Sequence, residues 1–139
     1  AYNYNSRGVN NVPIEPISGP LLTVAQWLRS NQVLNPVQCI VNEYMQTQGI
    51  SAHTDSMNFG PVIVSISLLQ PCNMKFTRGS ESHTLTLMPR SILIMSGEAR
   101  TEWKHQIPSR KTVTMPDGST YRKPDDYRRI SLTYRSLAH

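Results

Sequence analysis

Apolar residues recur along this chain with two different periods, and the change of period divides it. Leu21, Leu22, Val24, Ala25 and Leu28 fall at helical spacing, with Ser18 and Pro20 supplying start chemistry, so a helix is predicted over residues 21–31. From Pro36 onward the apolar positions come in short β-prone runs: Val37 to Tyr44, Val62 to Leu68, Met74 to Thr77, Thr84 to Leu87, Ile92 to Ser96 and Arg129 to Arg135. Turn residues at Gln48-Gly49, Arg78-Gly79-Ser80 and Pro116-Asp117-Gly118-Ser119 separate them. The last of these turns predicts a hairpin from Lys111 to Met115 and Thr120 to Lys123. Runs of this length and spacing point to a sandwich, barrel or jelly roll over residues 37–137. Residues 1–20, rich in Asn, Pro and Gly, are expected to form an irregular arm.

With 139 residues and 38% hydrophobic content, the chain fits one domain, residues 1–139. No apolar run approaches the roughly 20 residues that span a bilayer, so a soluble protein with no membrane partner is expected. The first residues lack the features of a secretory signal, and the absence of an initial Met leaves open a start within a longer protein. Cys39 and Cys72 are too few for a disulfide scaffold and read as small core residues, which suits an intracellular compartment, cytoplasm or nucleus. A monomer is expected.

Charge is distributed unevenly. From residue 100 onward the chain carries nine Lys and Arg against Glu102, Asp117, Asp125 and Asp126, and nine minus four is the whole formal net charge of +5. Such a basic region is the footprint of a phosphate-backbone partner, with a merely solvated basic face as the competing reading.

Two groups of residues carry candidate chemistry. His53 and Asp55, at i and i+2 of an extended segment, point to one side about 7 Å apart, and His105, before Ile107-Pro108, could meet them. Two imidazoles and a carboxylate on one face of an ion leave its other positions open. A zinc hydrolase could use the same ligands, although no HExxH accompanies them. His83 and His139 are weaker candidates, the first after a surface turn and the second at the terminus. Farther on, Arg129, Ser131, Thr133 and Arg135 alternate with Ile130, Leu132 and Tyr134. That strand turns one fully polar face inward or to solvent, and an inward face with an arginine at each end suits a small dicarboxylate. Asn42 and Tyr44 share a strand face and could complete such a site.

Taken in order, these residues resemble the AlkB family of Fe(II)- and 2-oxoglutarate-dependent dioxygenases. The likeness runs through Asn42-Glu43-Tyr44, Gln48-Gly49-Ile50, His53-Thr54-Asp55, Ile63 to Leu68, Pro89 to Leu93, Ser96-Gly97-Glu98-Ala99-Arg100, His105 and the terminal Arg-x-Ser-x-x-Tyr-Arg. The resemblance implies a mainly β fold, a double-stranded β-helix or jelly-roll core with an N-terminal flanking helix. It implies Fe(II) held by His53, Asp55 and His105, and O₂ as oxidant. It also implies 2-oxoglutarate bound by Arg129 at its distal carboxylate and by Arg135 near the metal, with Asn42, Tyr44 and Ser131 assisting.

The implied reaction is oxidative dealkylation, such as demethylation, of alkylated nucleobases in DNA or RNA, in repair or RNA modification. The hydroxylated carbon leaves as an aldehyde while 2-oxoglutarate is converted to succinate and CO₂. Of the family's nucleotide-recognition lid, expected at the N-terminal end, only Tyr2-Asn3-Tyr4 and a short arm are found here, either because the sequence is truncated or because the lid is reduced. Met57 stands where some base-repairing members carry an acidic residue, and Ser131 where an Asn is frequent. Together with Lys111, Arg122 and Lys123 of the hairpin, Tyr2, Asn3, Tyr4 and Met57 are the expected substrate contacts. The sequence around Gly49-Ile50, Pro89-Arg90-Ser91 and Gly97 to Arg100 is also similar to members that hydroxylate a modified wobble uridine in tRNA. A protein-directed oxygenase would keep the same ligands without needing the basic hairpin.

Overall fold

The structure, a computed structural model, describes the backbone of residues 2–5 and 8–13 and both backbone and side chains of residues 17–137. The arm is not irregular throughout. Tyr2–Asn5 (β1) and Gly8–Pro13 (β2) pair as an antiparallel ribbon. The alternation Tyr-Asn-Tyr-Asn is itself a period-two pattern, and Pro13 ends its strand, where a missing N–H costs little.

The helix α1, Gly19–Ser30, begins two residues before the predicted start. Gly19 has φ +59, a left-handed conformation that glycine adopts without strain, and Pro20 stands in the first turn, where its lost N–H had no partner anyway.

Beyond the helix every pairing is antiparallel. One four-stranded sheet has the order β3 (Gln38–Met45), β12 (Arg128–Leu137), β5 (Phe59–Leu68) and β8 (Ser91–Met95). The other has the order β4 (Ile50–His53), β9 (Lys104–Ile107), β6 (Cys72–Arg78) and β7 (Glu81–Leu87). A short helix α2, Gly97–Thr101, precedes β9, and the predicted hairpin forms from β10 (Thr112–Thr114) and β11 (Thr120–Arg122). This is the jelly roll with a flanking helix.

Alternation in β5 and β12 explains how the layers divide. Val64, Leu132 and Tyr134 point outward and join Ala25, Leu28 and Leu34 in a core under α1. Ala25 and Leu28 are fully buried there, and a buried Leu contributes about 2 kcal/mol. Tyr134 Oη donates to Leu21 O at 2.9 Å, tying the helix to β12. Inward, Phe59, Ile63 and Met95 of the first sheet meet Cys72, Met74, Phe76, Leu87 and Ile107 of the second. The apolar half of the sandwich is therefore the β5–β8 side. The other half, below β3 and β12, receives Ser65, Ser131, Thr133, Arg129 and Arg135 and remains a polar cleft.

Candidate metal and dicarboxylate site

The cleft begins where β4 ends. His53 lies opposite His105 in the β4–β9 register, and their rings stand 4.3 Å apart between centroids. Gly49 makes this approach possible, because a Cβ there would lie 2.1 Å from Ile107 O. The sequence reading took Gly49 as a turn residue; its tighter role is to let β4 lie against β9.

Asp55 follows in the loop, buried, with Oδ1 at 3.8 Å from His53 Nε2 and 3.5 Å from an Arg135 guanidinium nitrogen. One donor atom from each of His53, Asp55 and His105 falls within 4.8 Å of the others. His53 Nδ1 is 2.8 Å from Ser51 O, an atom that can only accept, so Nδ1 carries the proton and Nε2 is left as the ligand atom. Burial holds the His105 imidazole below its ordinary value, against the pull of Asp55, and His53, Arg100 and Arg135 push the same way. A neutral imidazole is the form that binds a metal. The donor set, its spacing and the fixed tautomer fit Fe(II).

At the other end of the cleft Arg129 is 1% exposed. It donates to Ser67 Oγ at 2.8 Å and lies over the Tyr44 ring at 5.3 Å, while its Nε and Nη1 have no hydrogen-bond partner. A buried guanidinium with two unpaired donors is costly unless an anion completes it, so the residue fits one carboxylate of 2-oxoglutarate. Arg135 sits at the metal end, over the Phe59 ring at 4.6 Å. Six residues of strand, about 20 Å, separate the arginine Cα atoms, so one small diacid cannot be gripped at both ends by two extended arginines. Asn42, Tyr44, Ser131 and Thr133 line the space between, a cleft of ≈ 480 Å³ including its open mouth. Burial raises the Tyr44 phenol, with Arg129 and Ser131 opposing, so Tyr44 is a neutral hydrogen-bonding group.

In the sequence Arg100 belonged to the basic region and to the Ser96-Gly97-Glu98-Ala99-Arg100 likeness, with no role at the site assigned to it. It is 3% exposed and donates to the backbone oxygens of Asp55 at 2.9 Å, Ser56 at 2.8 Å, Gly60 at 3.2 Å and Phe59 at 3.4 Å. One guanidinium thus holds both ends of the loop that carries the metal carboxylate. Its position in Gly97-Glu98-Ala99-Arg100, on a short helix just before a metal ligand, was the available signal.

The expected substrate contacts scatter. Lys111 and Arg122 are exposed on the hairpin, and Met57 is 55% exposed on the loop after Asp55. Lys123 must be corrected. It is 4% exposed, its Nζ donates to Gln46 O at 3.3 Å and it lies 4.6 Å over the Tyr127 ring. Burial pushes its pKa down, with Arg129 adding to the effect. It closes the Arg129 end of the barrel and offers no surface charge. The hairpin is consequently at the end of the fold away from the metal. The side chains of Tyr2, Asn3 and Tyr4, and His139, lie outside the described residues. His83 is exposed, with its ring 5.5 Å from that of Trp103, and is not part of the metal set.

A facial set of two histidines and an aspartate inside a jelly roll, facing a buried arginine with unpaired donors, defines a 2-oxoglutarate-dependent dioxygenase. Residues 1–135 match the 2OG-Fe(II) oxygenase superfamily. The chain belongs to that superfamily and, within it, to the AlkB family.

Among its relatives is the Alkylated DNA repair protein ALKBH8 homolog of Arabidopsis thaliana, 33% identical over 89% of this chain and 41% of the relative. The tRNA (carboxymethyluridine(34)-5-O)-methyltransferase ALKBH8 of Macaca fascicularis is 30% identical over 98% of this chain and 22% of the relative. The chain thus spans less than half the length of either. The solved structure of OsALKBH1 superposes with a TM-score of 0.56 at 22% identity, over 83% of this chain and 59% of that one. No helix among the described residues is long and apolar enough to cross a membrane.

Proposed function

We propose that this dioxygenase hydroxylates a carbon attached to a nucleobase of RNA, a substituent on a modified wobble uridine of tRNA being the first candidate. One observation carries the preference over dealkylation of a cationic base. Among the described residues that line the cleft there is a single carboxylate, Asp55, and that group is committed to the metal and Arg135, while Met57 stands at the loop where a counter-charge would be placed. No other described residue of the cleft balances a positively charged ring, whereas an uncharged uracil needs no balance. The likeness to ALKBH8 proteins supports the same choice. Oxidative dealkylation of DNA or RNA remains the second reading, and it predicts an aldehyde product in place of a stable alcohol.

His53, Asp55 and His105 would hold Fe(II), which would supply the oxidising chemistry that couples conversion of 2-oxoglutarate and O₂ into succinate and CO₂ to hydroxylation of the substrate. The chain's own residues bind and orient. Arg129 anchors the distal carboxylate, Tyr44, Asn42 and Ser131 give hydrogen bonds along the cleft, and Arg135 steadies Asp55. A target base in a stem would first be unstacked.

The test is mass spectrometry of modified tRNA and of methylated DNA and RNA oligonucleotides after incubation with the protein, Fe(II), ascorbate and 2-oxoglutarate. A uridine product heavier by one oxygen is expected, absent with His53→Ala. Demethylated bases with uridines unchanged would reverse the order of the two readings, and no oxidised nucleic acid would remove both.

A further inference from the structure

Lys111 and Arg122 lie on a hairpin packed at the Arg129 end, so the sequence alone leaves no route between them and the metal. The outer face of the β4-β9-β6-β7 sheet provides one. Phe76 and His105 are register partners facing into the cleft, so their neighbours Lys75, Thr77, Lys104 and Gln106 face out. Across that face Lys104 pairs with Thr77, and Lys75 pairs with Gln106 on one side and Thr84 on the other. Asn73 of the same face donates to Thr114 O at 2.9 Å and accepts from Thr114 N at 2.8 Å, which fastens the hairpin alongside. Between sheet and hairpin runs a groove lined by Lys75, Thr84, Arg110 and Thr112.

The face is unusual in its charges rather than its polarity. Among the described residues Arg78, Arg128 and Arg135 make ion pairs with acids, whereas Lys75, Lys104, Arg110, Lys111 and Arg122 make none. Of the described acids, Glu81, Glu98 and Glu102 surround Arg78, Glu43 meets Arg128, Asp117 accepts from Ser119 in the turn at the tip of the hairpin, and Asp125 accepts from Gln46. No strand of the outer face contributes a carboxylate to it. Lys104 is next in sequence to the ligand His105, and the chain from Lys104 to Arg110 covers about 20 Å at strand spacing.

We propose that this row, Lys104, Lys75 and Arg110 leading to Lys111, is a track for the phosphodiester backbone of a nucleic-acid strand, flanking the base delivered to the metal. Its chemistry is unpaired cations with interleaved hydroxyl and amide groups, which suits contacts to phosphate and sugar without reading sequence. The inference rests on the nucleic-acid reading above and adds which surface holds the strand.

The test is the salt dependence of binding of an unmodified single-stranded oligonucleotide, by fluorescence anisotropy. Each phosphate neutralised on a single strand contributes roughly 0.7 to the slope of log K against log salt, so K75Q/K104Q/R110Q should lower the slope by about 2. Arg90→Gln, an exposed cation off the track, should leave it unchanged, and circular dichroism checks that each variant folds. An equal slope for the triple variant and wild type, or an equal loss with Arg90→Gln, overturns the track. Absence of any oligonucleotide binding by wild type overturns the track and the substrate class together. A lowered slope without oxidation of any base supports the track and refutes the base chemistry.

Discussion

Replacing Arg100 by Met keeps the stem and removes the donors, which isolates what the guanidinium does for the metal loop. Four backbone oxygens lose their partner, two of them in bonds of 2.8 and 2.9 Å to Ser56 and Asp55. Bonds from a charged donor contribute about 1.5–3 kcal/mol each. The two long ones, at 3.2 and 3.4 Å, add less. A total near 3–5 kcal/mol is a large part of the ~5–15 kcal/mol that keeps a domain folded, yet within it. The loop, once released, must be ordered by the metal itself, so metal affinity should fall by roughly 10–100-fold, the range seen when groups supporting ligands are lost. Titration of Co(II) into the metal-free protein by absorption and calorimetry reads the affinity, and a thermal melt of the same sample reads the fold. Arg100→Lys, which keeps the charge but cannot span four acceptors, should recover part of the melt and little of the affinity. A variant that melts early yet binds Co(II) as tightly as wild type would refute the reasoning, because Arg100 would then be a core residue without influence on Asp55.

Other consequences are as direct. Gly49→Ala sets a methyl group against Ile107 O and must part β4 from β9, so Co(II) absorption at the His53–His105 pair should be lost; retained binding would show that β4 shifts freely. Arg129→Ala removes about 1.5–3 kcal/mol of charged hydrogen bonding, so the KM for 2-oxoglutarate in a succinate assay should rise roughly 10–100-fold with a smaller change in kcat; an unchanged KM would exclude Arg129 as the anchor. Lys123 has a folded pKa held below its unfolded value of about 10.4, so wild-type stability should rise with pH as the value in the folded state is passed and level off above the unfolded one. Lys123→Met should lack this rise and leave the salt slope of oligonucleotide binding unaltered. Parallel stability curves from neutral to alkaline pH would contradict the burial argument.

Much of the fold and cleft was legible because it follows from local period. The alternation of Arg129 to Arg135 predicted which face of β12 is polar, and the structure turns that face inward. His53 and Asp55 do converge with His105, but Asp55 stands in the loop after β4 and not in the extended strand from which the spacing was argued, while the hairpin followed from its turn. What escaped depends on contacts between distant segments. Arg100 in isolation is an ordinary charge, and only the folding of residues 55–60 around it makes it a clamp. Lys123 looked like its exposed neighbours, but it stands at the hairpin base where the chain re-enters the barrel. The apolar run predicts β5 from Val62 to Leu68. It begins at Phe59, since the register shift opposite Arg135 and Leu137 gives Pro61 a position outside the regular ladder.

Among the described residues the interior holds four cations, Arg100, Lys123, Arg129 and Arg135, against one carboxylate, Asp55. A divalent ion added to that interior deepens the imbalance, and a dicarboxylate relieves it. Each ligand therefore lowers the cost of admitting the other, and thermodynamic linkage makes the benefit equal in both directions. The folded chain is in this sense a balance between two supplies: how firmly it keeps its iron is set by how much diacid surrounds it.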